Sequence, residues 1–308
     1  MIYNSGVGPS LNSNSLLRVL QWNAGGLSHS KRAELCKTFT SYDIDVFTIM
    51  EANLSQDSIK YCSFPGYALY LLPKARQVAS GLLMGVKKHL TSDFQIIKEM
   101  NDSDKTELIK LKIWKDGHAF KIYSTYCPHN NTPHYNLPSI LSSTIFIGDF
   151  NAHSLKWGYN DTNQVGSRIV DLLNTSTLEL VYNCNDPCTF LHYNGTKSNP
   201  DLLMVLADLC QSTTQRVLGD PGSEHRQILA DISFSADRRS AAHPTYVSWN
   251  FVKANWKLFT DTLKQLLQRN PVNPHSHPDA ICTKLNNYIL DSAKIAIPRG
   301  RVKRYSSF

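Results

Sequence analysis

The feature that most constrains the fold is a series of short apolar runs, each bounded by turn-forming residues, which continues to about Phe234. Runs of this length and composition are typical of β-strands. The predicted strands are Leu17–Trp22, Asp45–Met50, Tyr67–Leu72, Gly81–Val86, Glu107–Trp114, Ala119–Thr125, Thr144–Gly148, Leu178–Tyr182, Asp201–Val205, Gln215–Leu218 and Ile228–Phe234. Helical patterns are fewer, at Ser28–Thr40 and Gly166–Ser176. Many strands with few helices favour two packed sheets flanked by helices over a simple strand–helix alternation.

The pattern changes after Ala236. Apolar residues at three- and four-residue steps predict amphipathic helices over Trp249–Gln268 and Asp279–Ile297. A linker rich in Pro, His and Asn separates them at Asn270–Pro278, and a basic run follows at Arg299–Arg304. We therefore expect a disordered segment over residues 1–16, a folded domain over 17–236, and a helical basic extension over 237–308.

Basic residues are concentrated in that extension. The whole chain has 32 Lys and Arg residues and 25 Asp and Glu residues, for a net charge of +7. Residues 1–237 hold 20 basic and 22 acidic residues, whereas residues 238–308 hold 12 and 3. A nearly neutral body with a strongly basic tail indicates a polyanionic partner.

Composition excludes several classes of protein. Hydrophobic residues make up 42% and charged residues 19%, which is typical of a globular protein and not of a disordered chain or a coiled coil. No apolar stretch approaches the roughly 20 residues that span a bilayer, and the start of the chain lacks a signal-peptide pattern. We therefore expect a soluble, intracellular protein without a membrane partner. The seven cysteines are scattered, which indicates reduced thiols and not a zinc site.

The densest cluster of polar residues is Gly148–Ser154 (GDFNAHS), directly after the apolar run Thr144–Ile147. A buried strand would deliver Asp149 and Asn151 to the same side of its C-terminal end. A carboxylate there can hold a cation, and an amide can donate hydrogen bonds to a substrate oxygen. An ordinary turn after a strand would produce the same pattern, so this motif alone leaves both interpretations open.

Polar residues of similar types end or begin other predicted strands. In chain order they are Asn23, Glu51, Tyr126, Asp201 and the pair Glu224 and His225. Such residues at so many strand ends are hard to explain as unrelated turns.

This ordered set resembles the endonuclease/exonuclease/phosphatase superfamily over about Leu17 to Phe234. Within it, the chain is most similar to the apurinic-type endonuclease domain of non-LTR (LINE, jockey-like) retrotransposons. The Gly-Asp-Phe-Asn-Ala-His motif, Trp157-Gly158 and the segment Pro187–Phe190 carry this likeness. The stretch Ile297–Arg301 resembles the connector that leads to the reverse transcriptase. The resemblance implies a four-layered α/β sandwich of two mostly antiparallel sheets, with the C-terminal helical basic extension.

The activity that the resemblance implies is metal-assisted hydrolysis of a phosphodiester bond in DNA. Glu51 matches the carboxylate that binds the catalytic Mg²⁺, for which Mn²⁺ can substitute, and Asn23 supports the same site. Glu224 is a further implied ligand. The metal would neutralise charge that develops on the phosphorane and on the departing 3′ oxygen.

The resemblance assigns the chemistry to five further residues. His225 matches the general base or phosphorane-stabilising residue, and Asp201 matches the carboxylate that orients its imidazole. Asp149 and Asn151 match the pair that positions the water and the phosphate. Tyr126 matches a phenol that contacts the phosphate.

Substrate contacts are implied for Asn151, Tyr126, Arg76 and Arg226. The implied partners are a double-stranded DNA target and, in the full-length parent, the element RNA and a reverse transcriptase domain. Such a protein would nick target DNA in the nucleus to prime retrotransposition.

The sequence departs from the family pattern at several positions. Glu224 stands where the family usually has Asp, and Gly25 stands where repair enzymes often carry an acid. Asn199 and Pro200 precede Asp201 in place of the usual residues. Two alternatives therefore stay open: an abasic-site repair endonuclease or phosphatase of the same superfamily, and a degenerate domain that only binds nucleic acid.

Overall fold

The structure is a computed structural model that describes residues 14–77, 79–131, 133, 135, 143–219, 222–235, 247–273 and 277–301. The chain divides into two compact units, Met1–Ala241 and Ala242–Phe308. Of the segment predicted to be disordered, residues 1–13 lie outside the described part, and Asn14 already begins the first strand.

Two six-stranded sheets form the first unit. The first sheet has the order β13-β14-β1-β2-β4-β3, formed by β1 (Asn14–Asn23), β2 (Val46–Met50), β3 (Tyr67–Leu72), β4 (Leu82–Lys87), β13 (Thr213–Val217) and β14 (Ile228–Ser235). The second has the order β5-β6-β7-β8-β12-β9, formed by β5 (Thr91–Lys98), β6 (Glu107–Lys115), β7 (His118–Tyr126), β8 (Thr144–Asp149), β9 (Leu178–Leu180) and β12 (Asp201–Leu206). The pairs β1–β2 and β7–β8 are parallel, and the other pairs are antiparallel, as predicted.

A continuous apolar core lies between the two sheets, where Val46 and Met84 of the first sheet join the same cluster as Ile109 and Ile145 of the second. Strands such as β8 are buried along their whole length, which explains why they read as uninterrupted apolar runs. In β8 the polar residues Thr144 and Asp149 therefore lie at the two ends of the strand.

Helices cover the outer faces of both sheets. α1 (His29–Tyr42) packs Leu35 and Phe39 against Phe47 of the first sheet. α2 (Gln164–Thr175) packs Ile169 against Phe146 of the second sheet. The resulting order of helix, sheet, sheet and helix confirms the predicted four-layered sandwich. Shorter elements of this unit are α3 (Ala207–Cys210), two 3₁₀ helices (Ser58–Tyr61 and Leu155–Trp157) and the hairpin of β10 (Phe190–Leu191) with β11 (Lys197–Ser198).

The second unit contains α4 (Trp256–Arg269), α5 (Pro278–Ala296) and a pair of short strands, β15 (Val247–Trp249) and β16 (Arg299–Arg301). The two helices confirm the predicted helical extension, but the prediction that the first begins at Trp249 is wrong. Asn255 accepts a hydrogen bond from the Leu258 N–H and so caps the helix at residue 256, whereas Trp249 ends a strand. Residues 302–304 of the predicted basic run lie outside the described residues. Within the described part, no helix is long and apolar enough to cross a membrane.

Candidate active site

The register of the strands brings the predicted site residues to one edge of the sandwich. In the parallel pair β1–β2, Asn23 at the end of β1 lies beside Met50 at the end of β2. Glu51 directly follows Met50 in the chain. In the second sheet, Asp149 pairs with Tyr126 on one side and with Asp201 on the other. Polar residues that lie far apart in sequence thus meet where five strands begin or end.

Asn23 links the two sheets at this edge. Its side-chain N–H₂ group donates to Glu51 Oε1 at 3.0 Å and to Asp149 Oδ2 at 2.8 Å. Its Oδ1 accepts the Gly25 N–H at 3.0 Å. The amide therefore holds two carboxylates together, and its own oxygen is used within the loop that follows β1.

His225 and Asp201 form a hydrogen-bonded pair beside this link. The imidazole Nδ1 lies 2.8 Å from Asp201 Oδ2, and Nε2 lies 3.9 Å from Asp149 Oδ2. Phe190 packs its ring edge-on against the imidazole, with 4.7 Å between the centroids. Burial alone would lower the pKa of His225, but the Asp201 and Asp149 carboxylates raise it to about 9. At neutral pH the metal-free protein therefore holds an imidazolium here.

The loop that carries His225 is attached to β1. Trp22 Nε1 donates to the His225 carbonyl at 2.9 Å, and Ser223 Oγ donates to the Asn23 carbonyl at 3.0 Å. The His225 N–H in turn donates to Ser223 Oγ at 3.2 Å. The imidazole is thus fixed relative to the strand that supplies Asn23.

Negative charge exceeds positive charge in the site. Asp149 is 1% exposed, and burial together with Asp201 and Glu51 raises the pKa of its carboxyl, against the effect of His225 and Asn23. Asp201 Oδ1 is buried without a hydrogen-bond partner. Clustered carboxylates with an unpartnered oxygen are the donor set that a hard divalent cation such as Mg²⁺ or Mn²⁺ prefers.

The residues present therefore fit such a cation. Glu51 and Asp149 approach each other through the shared Asn23 amide. Asp149, Asp201 and His225 also offer ligand atoms that lie within 4.8 Å of one another. Glu224, the third implied ligand, is exposed, and its backbone carbonyl accepts the Leu191 N–H at 2.8 Å.

Asn151 and Tyr126 complete the predicted catalytic set. The Asn151 side chain donates to the Cys127 carbonyl at 2.9 Å, and its N–H donates to Asp149 Oδ1 at 3.1 Å. Tyr126 is 3% exposed, and burial and the adjacent Glu51 carboxylate raise the pKa of its phenol. The phenol therefore stays protonated and can donate a hydrogen bond.

Most of these side chains line one cavity, whose volume is about 410 Å³ when the space open to solvent is included. Its lining residues are Glu51, Tyr126, His129, Asp149, Asn151, His153, Tyr159, Phe190, Ser198, Pro200 and His225. His129, His153, Tyr159 and Phe190 were not among the predicted site residues. The sequence signal for His129 and His153 is their closeness to Tyr126 and Asp149.

The two additional histidines lie in different environments. His153 stacks on Tyr159 with 4.2 Å between ring centroids, and its Nδ1 lies 3.3 Å from an Asp161 carboxylate oxygen. Burial and the nearby His153 lower the pKa of His129. His129 is thus favoured in its neutral form, as a hydrogen-bonding group at the rim of the cavity.

The two predicted arginine contacts lie outside the cavity lining. The Arg76 guanidinium donates to the Ala79 carbonyl at 3.0 and 2.7 Å, within its own loop. The Arg226 N–H donates to the Thr189 carbonyl at 2.7 Å. Substrate contact by either side chain stays a prediction.

Comparison with known proteins extends these observations. Residues 120–229 match the family model described as endonuclease-reverse transcriptase. The endonuclease domain of TRAS1, a telomere-specific non-LTR retrotransposon, has a similar structure (TM-score 0.54, 18% identity), with 71% of this chain and 98% of that domain covered. No curated protein sequence matches the chain significantly.

Two further solved structures share the fold. The AP endonuclease LMAP from Leishmania major is 14% identical and has a TM-score of 0.55, with 71% of this chain and 88% of that one covered. Truncated TDP2 from Caenorhabditis elegans is 15% identical and has a TM-score of 0.52, with 70% and 97% covered. The chain therefore shares its fold with these proteins, and its residues 120–229 are similar in sequence to the endonuclease-reverse transcriptase family.

Proposed function

We propose that the chain is a divalent-metal-dependent endonuclease that nicks double-stranded DNA. The observation that carries this proposal is that Glu51, Asp149 and His225 line one cavity, with Asp201 hydrogen-bonded to the His225 imidazole. This set combines a carboxylate site for a cation with an oriented imidazole. Together they can promote hydrolysis of a phosphodiester.

Asp201 and His225 act as a unit in the proposed reaction. Asp201 holds the ring through Nδ1, so Nε2 is directed towards Asp149. As an imidazolium, His225 can donate from Nε2 to a phosphate oxygen, and as neutral imidazole it can accept a proton from water. Asp201 stabilises the charged form in either role.

Asp149, Asn151 and Tyr126 position the reactants. Asp149 Oδ2, 3.9 Å from His225 Nε2, can accept a hydrogen bond from the attacking water. Tyr126 can donate its phenol proton to a phosphate oxygen. A divalent cation held by Glu51 and Asp149 supplies charge neutralisation for the phosphoryl group and the leaving oxygen when it is bound.

The biological role that we propose is nicking of target DNA during retrotransposition, in the nucleus. The match to an endonuclease-reverse transcriptase family model and the similarity to the TRAS1 domain support it. In that role the protein would act with element RNA and a reverse transcriptase domain of a longer parent. The excess of basic residues in 238–308 suits a nucleic-acid partner.

A second candidate is an abasic-site endonuclease, which the fold shared with the Leishmania major enzyme favours. An assay on two matched duplexes, one intact and one with a single abasic site, separates the two activities. A retrotransposon-type endonuclease cleaves both, whereas a repair enzyme cleaves the abasic duplex at least about 10²-fold faster.

Nicking of supercoiled plasmid tests the proposal as a whole. We expect conversion to the open-circular form with Mg²⁺ or Mn²⁺ and none with excess chelator. Absence of nicking with either metal, by a protein that still binds DNA, would support the degenerate nucleic-acid-binding alternative instead.

A further inference from the structure

A buried carboxylate next to the site has no place in the reaction proposed above. Glu107 begins β6, is 1% exposed and pairs with Tyr126 across the β6–β7 hairpin. Both of its carboxylate oxygens accept the Gly81 N–H, at 2.9 Å each. A buried carboxylate costs folding free energy that an apolar residue would not, so its retention calls for a role.

The Gly81 peptide connects Glu107 to the turn that carries Glu51. The Gly81 carbonyl accepts the Ala52 N–H at 3.0 Å, and the Ser80 carbonyl accepts the Asn53 N–H at 3.0 Å. Ala52 directly follows Glu51 in the chain. The peptide group between Ser80 and Gly81 therefore donates its N–H to Glu107 and accepts, at its carbonyl, a hydrogen bond from the turn that carries Glu51.

The backbone at Glu51 needs such support because it is strained. Glu51 has a φ of 49° and Asn53 a φ of 55°, both in the left-handed region that side chains with a Cβ disfavour. On the opposite side, the Gly26 N–H donates to the Glu51 carbonyl at 2.8 Å. The turn is thus held between the loop after β1 and the Gly81 peptide.

The local sequence is suited to this arrangement. Gly81 has a φ of 88°, and a Cβ at that position would lie 3.1 Å from the Lys74 backbone nitrogen. Only glycine can adopt this positive φ and lie this close to the Lys74 backbone without strain. Gly81 and Glu107 therefore form a matched pair, with the carboxylate fixing the orientation of the glycine peptide.

We infer that Glu107 is a positioning residue that holds the strained turn in the conformation from which the Glu51 carboxylate reaches the metal site. This inference rests on the proposed function, in which Glu51 binds the divalent cation. Residues that orient metal ligands in this way typically account for about 10- to 100-fold in metal affinity or activity.

The test measures two values for the full chain. One is the dissociation constant for Mn²⁺, obtained from the electron paramagnetic resonance signal of the free ion, and the other is the Mn²⁺ concentration that gives half-maximal nicking. Glu107→Ala removes the acceptor, and we expect both values to rise about tenfold or more. Glu107→Gln keeps one oxygen for the Gly81 N–H, and we expect values within about threefold of the parent.

Asp45→Asn is the matched control, because Asp45 is another buried carboxylate that accepts a backbone N–H, from Arg18, but at the opposite end of β2. A general loss of stability would affect this variant as well, without changing its Mn²⁺ affinity. If Glu107→Ala does not fold, Glu107→Asp replaces it, since the shorter side chain withdraws the carboxylate from Gly81.

The outcomes separate the inference from the proposed function. Parent-like Mn²⁺ affinity in folded Glu107→Ala or Glu107→Asp overturns the inference, even if the parent nicks DNA. A protein that binds Mn²⁺ in a Glu107-dependent manner but does not nick would refute the proposed function and uphold the inference. No Mn²⁺ binding by the parent would overturn both.

Discussion

The two ends of β2 each carry a buried or partly buried acidic group, but only one end is electrically balanced. At the start of the strand, Asp45 accepts hydrogen bonds from the Arg18 N–H at 3.0 Å, Lys87 Nζ at 3.1 Å and Lys115 Nζ at 2.6 Å. At its other end, the Glu51 carboxylate shares the Asn23 amide with Asp149.

The difference distinguishes a buried charge that stabilises the fold from buried charges that could bind a cation. Two lysines compensate Asp45, so this cluster stabilises the sandwich without need of a ligand. At the other edge, Glu51, Asp149 and Asp201 face one imidazole, and an Asp201 oxygen has no partner. Such unbalanced charge is what a bound cation would neutralise.

The largest effects on activity should come from substitutions at the end of β2 where the carboxylates lack compensating positive charge. Glu51→Gln and His225→Ala should each reduce the nicking rate at least about 10³-fold, with circular dichroism like that of the parent, because neither side chain belongs to the apolar core between the sheets. Asp45→Asn should keep nicking within about threefold but lower the free energy of unfolding by about 3 kcal/mol. Activity within tenfold of the parent for Glu51→Gln or His225→Ala would refute the assigned roles.

The next largest effect is expected in the pH dependence of the free energy of unfolding, which should reveal the charged group at the Glu51 end of β2. The pKa of His225 is about 9 in the folded protein, above the ordinary value of 6.5, so folding favours the protonated form. This stabilisation is complete below about pH 6.5 and is lost as pH rises through about 9, with a total on the order of 3 kcal/mol. Chemical denaturation of metal-free parent and His225→Ala between pH 6 and 10 measures it. The same slope in both proteins would rule it out.

Removing the second unit should change binding more than chemistry. A chain that ends at Ala241 lacks the unit Ala242–Phe308, while all proposed catalytic residues precede it. Each lost phosphate contact should reduce the log–log salt dependence of DNA binding by about 0.9. The nicking rate at saturating DNA should stay within about twofold. An unchanged salt slope would mean that the basic residues do not contact DNA.

The smallest effect is expected at Glu224. Glu224 stands where the family usually has Asp, and if its extra methylene limited the site, Glu224→Asp would raise the nicking rate. The side chain is exposed and lies outside the cavity lining, so we now expect a rate within about twofold of the parent. A clear increase would restore Glu224 as a metal ligand.

The parts of the fold that the sequence predicted well are those where one physical signal dominates. Strands β2, β4 and β8 are fully buried or nearly so, and their apolar runs mark them clearly. β5 was missed, because its residues Thr91–Lys98 are only partly buried or exposed and mix polar with apolar types. The start of α4 was misplaced, since apolar spacing continued through Trp249 into a region where Asn255 caps the helix.

The residues of the candidate site also differ in how well they could be identified from the sequence. Strand-end residues such as Asp149 and Asp201 could be identified, because apolar runs fix their positions and register brings them together. Phe190 and Glu107 could not be assigned roles, since their meaning depends on contacts across the structure, with the His225 ring and with the Gly81 peptide. Tertiary contacts of this kind leave no local pattern.

The most direct test of the unbalanced site is the effect of Mg²⁺ on the free energy of unfolding of the parent and of Glu51→Gln. A ligand that binds only the folded protein stabilises it by about 1.4 kcal/mol at ten times its dissociation constant. We predict that Mg²⁺ stabilises the parent by at least this amount at saturating concentration, and Glu51→Gln much less, with Asp45→Asn responding like the parent. Equal stabilisation of the parent and Glu51→Gln would contradict a metal site at this edge of the sandwich.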